Sequence, residues 1–171
     1  DGEKMRVGPE SAGANPGPSC YGLEGQLALT DANLFLRRIL PKYFPKTFGP
    51  HNDQFLNEQK THDRFHEITE EINTSLGTSM SEEEVALGFI RIANETMAAA
   101  IKEISVNKGF DIRTHVLVSF GGAAAQHACG IARILDIKKI VIHPMAGLFS
   151  AYGISMADQT RYAIRLSLIH I

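Results

Sequence analysis

The strongest periodic pattern of apolar positions lies in the middle of the chain and predicts a long amphipathic helix. Ser81, followed three residues later by Glu84, matches a capping box, in which each side chain satisfies a backbone amide of the other residue at a helix start. Gly109 is the predicted stop. The apolar residues of this predicted helix recur at roughly helical spacing and are Val85, Phe89, Ile92, Met97, Ile101 and Ile104.

A weaker helical pattern precedes this helix. Polar residues dominate positions 57–76, and one thin apolar stripe remains, formed by Phe65, Ile68 and Ile72. The pattern predicts a surface helix that ends near Gly77.

A third, shorter helix is predicted nearer the N-terminus. Residues 27–30 are compatible with a short strand. Thr30 or Asp31 can then cap a helix that runs to Leu40, and Pro41 stops it.

Residues 115–130 read HVLVSFGGAAAQHACG and combine an apolar run, a Gly-Gly turn and a segment of small residues. This order predicts a strand over 115–120, a tight loop and a helix that continues to Leu135. A second apolar run over 139–143 predicts another strand, and residues 147–157 predict a helix of small residues. Strands that alternate with helices indicate an α/β unit with a right-handed crossover.

The Gly-Gly turn at the strand-to-helix junction is the first candidate binding site. Glycine lets the backbone approach a ligand closely, and the free N–H groups of a first helical turn face the same point, so a nucleotide or phosphate is the natural occupant. An ordinary turn between a strand and a helix is the alternative. Neither the dinucleotide pattern G-x-G-x-x-G nor the P-loop pattern occurs, so a different fold would hold the nucleotide.

Length and composition limit the class of protein. The 171 residues, 44% of them hydrophobic, suffice for one globular domain. The formal net charge of -2 provides no basic surface for nucleic acid or an anionic membrane, and no apolar stretch approaches the ~20 residues of a spanning helix. We therefore expect a cytoplasmic protein with no nucleic-acid or membrane partner. Because the chain opens without Met in a Gly/Pro-rich passage, we also expect a piece of a longer protein.

Five motifs in order resemble the hydantoinase A/5-oxoprolinase family. They are VGPESAGANPGPSCYG, TDANLFL, EEVALGFIRIANE, FGGAAAQHAC and IHPMAGLFSAYGISMAD, and the resemblance extends over about residues 5–160. The sequence Gln126-His127-Ala128-Cys129 is closest to the 5-oxoprolinase branch. Hydantoin-cleaving and ketone-carboxylating branches often carry Pro-Leu-His-Ala there.

The resemblance implies an α/β architecture that is an incomplete part of an actin-like ATPase (ribonuclease H-like) fold. Residues 1–26 would be a Gly/Pro-rich loop that continues from a missing upstream lobe. Residues 27–160 would be a partial hydantoinase A/oxoprolinase domain with an adenosine-side Gly loop, and residues 161–171 an atypical, non-native tail. The family's phosphate-binding motifs do not occur here, so the chain would hold half of a nucleotide site.

The resemblance also implies the reaction. A full-length parent of the 5-oxoprolinase type would hydrolyse 5-oxo-L-proline to L-glutamate with cleavage of ATP, and the family is expected to use Mg²⁺ and K⁺. The chain alone would be inactive. Implied partners are the lactam substrate, a hydantoinase B-type domain or subunit, and further copies of the parent in a homo-oligomer. Two alternatives stay open, a hydantoinase or ATP-dependent ketone carboxylase subunit and a non-catalytic nucleotide-binding module.

The residues of the loop are the candidates for nucleotide binding, and the chain offers no metal site and no assigned catalytic residue. The nucleotide-binding candidates are Gly121, Gly122, Ala123, Ala124, Gln126 and His127. His127 can alternatively pack beneath the loop. Asp31 and Glu10 are candidates for the substrate or metal side, although an Asp at a helix start is more often a cap. Cys20 and Cys129 are expected to be inert, with Cys129 buried among small residues.

Ala124-Ala125 departs from the family, which usually has Gly-Gly at these positions. If residue 124 requires a positive φ or bare backbone against the base, its methyl group weakens ATP binding. If residue 124 already lies in the helix, alanine is harmless or better.

Overall fold

Five α-helices and two β-strands form the regular structure of residues 7–8 and 10–161, the part of the chain that the computed structural model describes. The predicted tail, residues 161–171, lies outside the described residues except for Arg161. In chain order the elements are α1 (Leu29–Phe35), α2 (Glu58–Leu76), α3 (Glu82–Asn107), β1 (Val116–Ser119), α4 (Ala125–Ile134), β2 (Lys139–Ile142) and α5 (Phe149–Met156).

The two long helices form as their local signals predict. Asn57 caps α2 by accepting a hydrogen bond from the Lys60 amide at 2.8 Å, and α2 ends directly before Gly77. At the start of α3 the Glu84 amide donates to Ser81 Oγ at 3.2 Å, and the Ser81 amide donates to the Glu84 carboxylate at 2.8 Å. The predicted capping box is therefore confirmed.

The prediction for α1 is wrong at both ends. Residues 27–30 form no strand, because α1 already begins at Leu29. The helix ends at Phe35 instead of Leu40, since the backbone of Arg37 turns into the left-handed region with φ 53°. The amides of the next two residues then return to the Asn33 carbonyl instead of continuing the helix.

The strand–helix–strand unit after α3 is confirmed. β1 and β2 pair in parallel, with Val116 opposite Lys139 and Ser119 opposite Ile142, and α4 connects them. The further helix predicted over 147–157 begins as a 3-10 turn, Ala146–Leu148, and continues as α5.

Two buried clusters hold the helices together and position the loop after β1. One cluster joins α1, α2 and α3 through Ala32, Phe65, Ala86 and Ile90. The other joins α3, α4 and the sheet, with Leu117 and Ile140 packed against it; its buried members are Ala98, Ile131, Ala132, Leu135 and Ile137. The ends of β1 and α4, where the Gly loop lies, are thus fixed on the long helix α3. No helix in the described residues is long and apolar enough to cross a membrane.

Candidate functional site

The loop between β1 and α4 is short, exposed and fixed at its first glycine. Gly121 has φ +91°, a conformation that side chains disfavour, whereas Gly122 does not. The Gly121 amide donates to the Ala146 carbonyl at 2.7 Å, which ties the loop to the turn after β2. A Cβ on Gly122 would meet no atom within 4 Å, so the loop surface is open there.

The amides without a hydrogen-bond partner lie in the loop before α4 and at the first residue of α4, whereas the sequence predicts them in the first helical turn. In the first turn of α4, the Gln126 amide donates to the Ala123 carbonyl and the His127 amide to the Ala124 carbonyl, both at 3.1 Å. These amides are therefore occupied. Among the described residues no acceptor pairs with the four preceding amides, which belong to Gly122, Ala123, Ala124 and Ala125. The donors available to a ligand come from the loop itself.

Ala124 lies in the helical conformation, with φ −60° and ψ −35°, directly before α4. No positive φ is required at this position, so the backbone gives no reason for alanine to disturb the loop. Residue 124 therefore has the helical conformation, for which alanine in place of the family's usual glycine is predicted from the sequence to be harmless or better.

His127 packs beneath the loop as the third residue of α4. Its side chain is 7% exposed, and Nδ1 lies 2.8 Å from Oδ1 of Asn94 on α3. Burial lowers the pKa of His127, and the nearby positive charge of Arg38 lowers it further. The Arg38 guanidinium itself donates to the backbone carbonyl of Gln126. The His127 side chain therefore packs beneath the loop, and its role in nucleotide binding stays a prediction. The packing adds two residues, Asn94 and Arg38, that sequence reasoning missed.

Asn94 was detectable only as a polar residue on the apolar side of α3. It is 8% exposed and faces α4 where Gly130 leaves room for it. A Cβ on Gly130 would lie 2.3 Å from Nδ2 of Asn94. Arg38 carried no comparable sequence signal, because its contact with α4 spans 88 residues of chain.

Asp31 is fully buried and organises the loop that precedes α1. Its carboxylate accepts hydrogen bonds from the amides of Ser19 at 3.2 Å, Cys20 at 2.7 Å and Ala28 at 2.8 Å. The residue caps α1 from the third helical position instead of the N-cap position. Its candidate role on the substrate or metal side stays a prediction.

Glu10 is exposed and lines a separate cavity of about 850 Å³ under the Gly/Pro-rich loop. Helices α1, α2 and α3 form the other wall, through residues such as Thr30, Phe65 and Met97. Asp31 does not line this cavity, and neither does the Gly121–Ala124 loop. Glu10, Asp31 and the Gly121–Ala124 loop therefore do not line one common cavity.

The model of the hydantoinase/oxoprolinase family matches residues 1–163. The chain belongs to this family. Curated relatives include a 5-oxoprolinase of Dictyostelium discoideum, 51% identical over 156 residues, and a 5-oxoprolinase of Saccharomyces cerevisiae, 49% identical over 154 residues. These alignments cover 89% and 90% of the chain, and the chain spans 12% of the length of each relative.

Two solved structures of hydantoinase/oxoprolinase relatives share the fold. The ATP-dependent caprolactamase from Pseudomonas jessenii is 36% identical with a TM-score of 0.69, over 85% of the chain and 20% of the caprolactamase chain. Nucleotide-free acetone carboxylase is 26% identical with a TM-score of 0.72, over 91% of the chain and 21% of the carboxylase chain. The mixed α/β arrangement of the described residues is thus a family property.

The two thiols of this hydantoinase/oxoprolinase chain differ in burial: Cys20 is buried and Cys129 is exposed. Cys20 is fully buried, and burial together with the Asp31 carboxylate raises its pKa far above the ordinary range. Cys129 is exposed, so the expectation that it is buried is wrong: its position in α4 points away from the packed side that holds His127 and Ala128. No group of three or more His, Cys, Asp or Glu side chains gathers as a metal site within residues 7–8 and 10–161.

Proposed function

We propose that the chain is the adenosine-side segment of an ATP-dependent 5-oxoprolinase. The full-length protein would open the lactam ring of 5-oxo-L-proline to L-glutamate and cleave ATP to ADP and phosphate. The observation that carries this proposal is the level of identity, about half of the aligned residues, to curated 5-oxoprolinases along 89% of the chain. The alpha subunit of caprolactamase, which by its name opens another lactam, is 36% identical over 155 residues.

The loop after β1 supports a role on the adenosine side of an actin-like fold. Its unpaired amides are hydrogen-bond donors for ring nitrogens or ribose oxygens, and Gly121 and Gly122 leave the backbone bare for close approach. The candidate residues Gly121, Gly122, Ala123 and Ala124 would hold the nucleoside, with Gln126 and His127 behind them. The phosphates would be held by Gly- and Asp-rich motifs elsewhere in the full-length protein.

The proposed chemistry explains why ATP is needed. An amide carbonyl is a poor electrophile, and opening this lactam is uphill near neutral pH. Transfer of the γ-phosphoryl group to the amide oxygen would make the carbon a better acceptor for water. Attack of one water and cleavage of the C–N bond, with a proton passing to the leaving nitrogen, would give an acyl phosphate, and a second water would hydrolyse it to the carboxylate and phosphate. Mg²⁺, when bound, neutralises developing charge on the phosphates. In this scheme the described residues orient the nucleotide and supply no reacting group.

Several features of the full-length protein are part of the same proposal. We expect Mg²⁺ and K⁺ ligands in other parts of the polypeptide, a hydantoinase B-type domain or subunit, a homo-oligomer and a cytoplasmic location. The relative named caprolactamase subunit alpha supports the expectation of a partner subunit.

The deciding experiment supplies the full-length polypeptide that carries this chain with ATP, Mg²⁺ and K⁺. Parallel reactions contain 5-oxoproline, caprolactam, hydantoin, or acetone with bicarbonate, and ADP and organic product are measured in each. We expect glutamate and ADP in equal amounts from 5-oxoproline alone. Turnover of another substrate in preference to 5-oxoproline would assign the protein to the branch of the family that uses that substrate. Nucleotide binding without turnover of any substrate would favour a non-catalytic module.

A further inference from the structure

We infer that Asn94 is a positioning residue that holds His127 as the neutral Nδ1–H tautomer, so that Nε2 is a hydrogen-bond acceptor in the first turn of α4, directly after the Gly121–Ala124 loop. The ligand class for this acceptor is a nucleoside hydroxyl or exocyclic amine. This ligand assignment rests on the proposed function, whereas the tautomer rests on the unliganded geometry alone.

The tautomer follows from the chemistry of the contact. Nδ1 of His127 lies 2.8 Å from Oδ1 of Asn94, and both side chains are more than nine-tenths buried. An amide oxygen can only accept a hydrogen bond, so the imidazole proton is on Nδ1. In a neutral ring the other nitrogen, Nε2, then carries a lone pair.

The orientation of Asn94 is itself restrained by α4. Gly130 is one turn after His127, and a Cβ at that position would lie 2.3 Å from Nδ2 and 3.0 Å from Cγ of Asn94. The amide side chain thus occupies the space that the missing Cβ leaves. The amide group of Asn94 therefore lies between Gly130 and His127 in the contact between α3 and α4.

The surroundings favour the neutral ring. Burial lowers the pKa of His127, and Arg38 is the charged group that adds to this effect. Arg38 is held there by its hydrogen bond to the Gln126 carbonyl in the same turn of α4. An imidazolium at this point would face a second positive charge in a desolvated position.

Nε2 remains available to a ligand. Among the described residues none donates a hydrogen bond to it. The fully buried side-chain atoms without a partner in the same residues are Asn33 Oδ1, Thr69 Oγ1 and Ser119 Oγ, so Nε2 is not a fully buried atom. The loop offers unpaired amide donors and His127 offers an acceptor, which together match a nucleoside that has both kinds of group. Protonation would convert the acceptor into a donor.

The test replaces Asn94 with a side chain of the same shape and a negative charge. In Asn94→Asp the carboxylate still accepts from Nδ1, but it stabilises the imidazolium and raises the pKa of His127. Asn107→Asp, at the exposed end of the same helix, is the matched control. In the full-length polypeptide, ADP affinity is measured by calorimetry at about pH 6 and about pH 9, on either side of the ordinary histidine pKa. Hydrogen exchange at C2 of His127, followed by mass spectrometry, gives its titration directly.

We expect Asn94→Asp to raise the titration midpoint of His127 and to bind ADP roughly tenfold more weakly at the lower pH, with affinity restored at the higher pH. Wild type and Asn107→Asp are expected to show no such loss. If Asn94→Asp charges His127 and ADP affinity stays unchanged, the acceptor role is overturned. If Asn94→Asp leaves the titration of His127 unchanged, the positioning role is overturned.

A second pair of variants covers the case in which Asn94→Asp does not fold. His127→Gln retains an acceptor near Nε2 and is expected to keep most of the ADP affinity at both pH values, whereas His127→Met, similar in size, is expected to lose roughly tenfold. Equal affinities for the two variants would overturn the acceptor role. Absence of ADP binding by wild type would instead overturn the proposed nucleotide site together with the acceptor role, and the His127 titration would still decide the part played by Asn94.

Discussion

The backbone amide of Cys20 donates a hydrogen bond of 2.7 Å to the carboxylate of Asp31, eleven residues later in the chain. This contact joins the Gly/Pro-rich loop to the start of α1. The same carboxylate also accepts from the amides of Ser19 and Ala28, so one fully buried side chain binds three backbone donors. The Ser19 amide donates to the Gln26 carbonyl as well, whereas among the described residues the amides of Cys20 and Ala28 have no acceptor other than Asp31.

Asp31→Asn is expected to destabilise the protein by about 2–3 kcal/mol. The variant keeps the size of the side chain but replaces one accepting oxygen with an NH₂ group that faces backbone donors, and it removes the charge that strengthens these bonds. The free energy of unfolding in urea measures the loss, with the exposed Asp53→Asn as control. Equal stability of the two variants would contradict the structural role of Asp31.

The two thiols are expected to react at very different rates in the folded protein. Cys20 is fully buried and its pKa is raised by burial and by Asp31, so little thiolate forms, whereas Cys129 is exposed. Alkylation with iodoacetamide, followed by peptide mass spectrometry, is expected to label Cys129 first and Cys20 only after unfolding in urea. Early labelling of Cys20 would contradict its burial beside Asp31.

The sequence was sufficient for two features of the fold that local signals determine. The Ser81–Glu84 capping box and the apolar run before Gly121 each depend on neighbours a few residues away, and both formed as predicted. The end of α1 was not predictable, because Arg37 adopts a left-handed backbone conformation that is uncommon for residues other than glycine.

In the candidate site, too, local features were predictable from the sequence and contacts between distant residues were not. The position of the Gly121–Ala124 loop followed from local pattern, whereas the contact of His127 with Asn94 joins residues 33 positions apart through the packing of two helices. The exposure of Cys129 depends on which side of α4 faces α3, a choice that the small residues around it left open. Pairings of this kind come from tertiary structure and have no sequence periodicity.

His66 on α2 is expected to add a pH-dependent contribution to stability. Its ring contacts the carboxylates of Glu82 at 3.0 Å and Glu70 at 3.5 Å, which raise its pKa above the ordinary 6.5. A raised pKa in the folded state means that the contribution is complete below about pH 6.5 and is lost as the pH rises through the higher folded value. His66→Gln is therefore expected to lower Tm more at acidic than at alkaline pH. A difference that is independent of pH would contradict the ion pairs.

Gly121→Ala and Gly122→Ala are expected to affect stability differently. Gly121 has φ +91°, so a side chain there costs about 1–2 kcal/mol in backbone strain, whereas Gly122 is not in this region and a Cβ would meet no atom within 4 Å. Urea unfolding of both variants measures the difference. Equal destabilisation would show that the conformation of Gly121 is not what fixes the loop.

Gly130→Ala and Gly153→Ala are expected to have opposite effects although both glycines lie inside helices. At Gly130 the added Cβ would lie 2.3 Å from Nδ2 of Asn94, so the buried Asn94 side chain must move from its place between α3 and α4, at a cost of about 1–3 kcal/mol. At Gly153 in α5 no atom lies within 4 Å, and alanine is expected to stabilise the helix by up to about 1 kcal/mol. The free energies of unfolding compare the two variants directly. Because the higher helix propensity of alanine partly offsets the overpacking, the loss measured for Gly130→Ala is a lower bound on the packing cost. A stabilised Gly130→Ala would contradict the close contact between Gly130 and the Asn94 side chain.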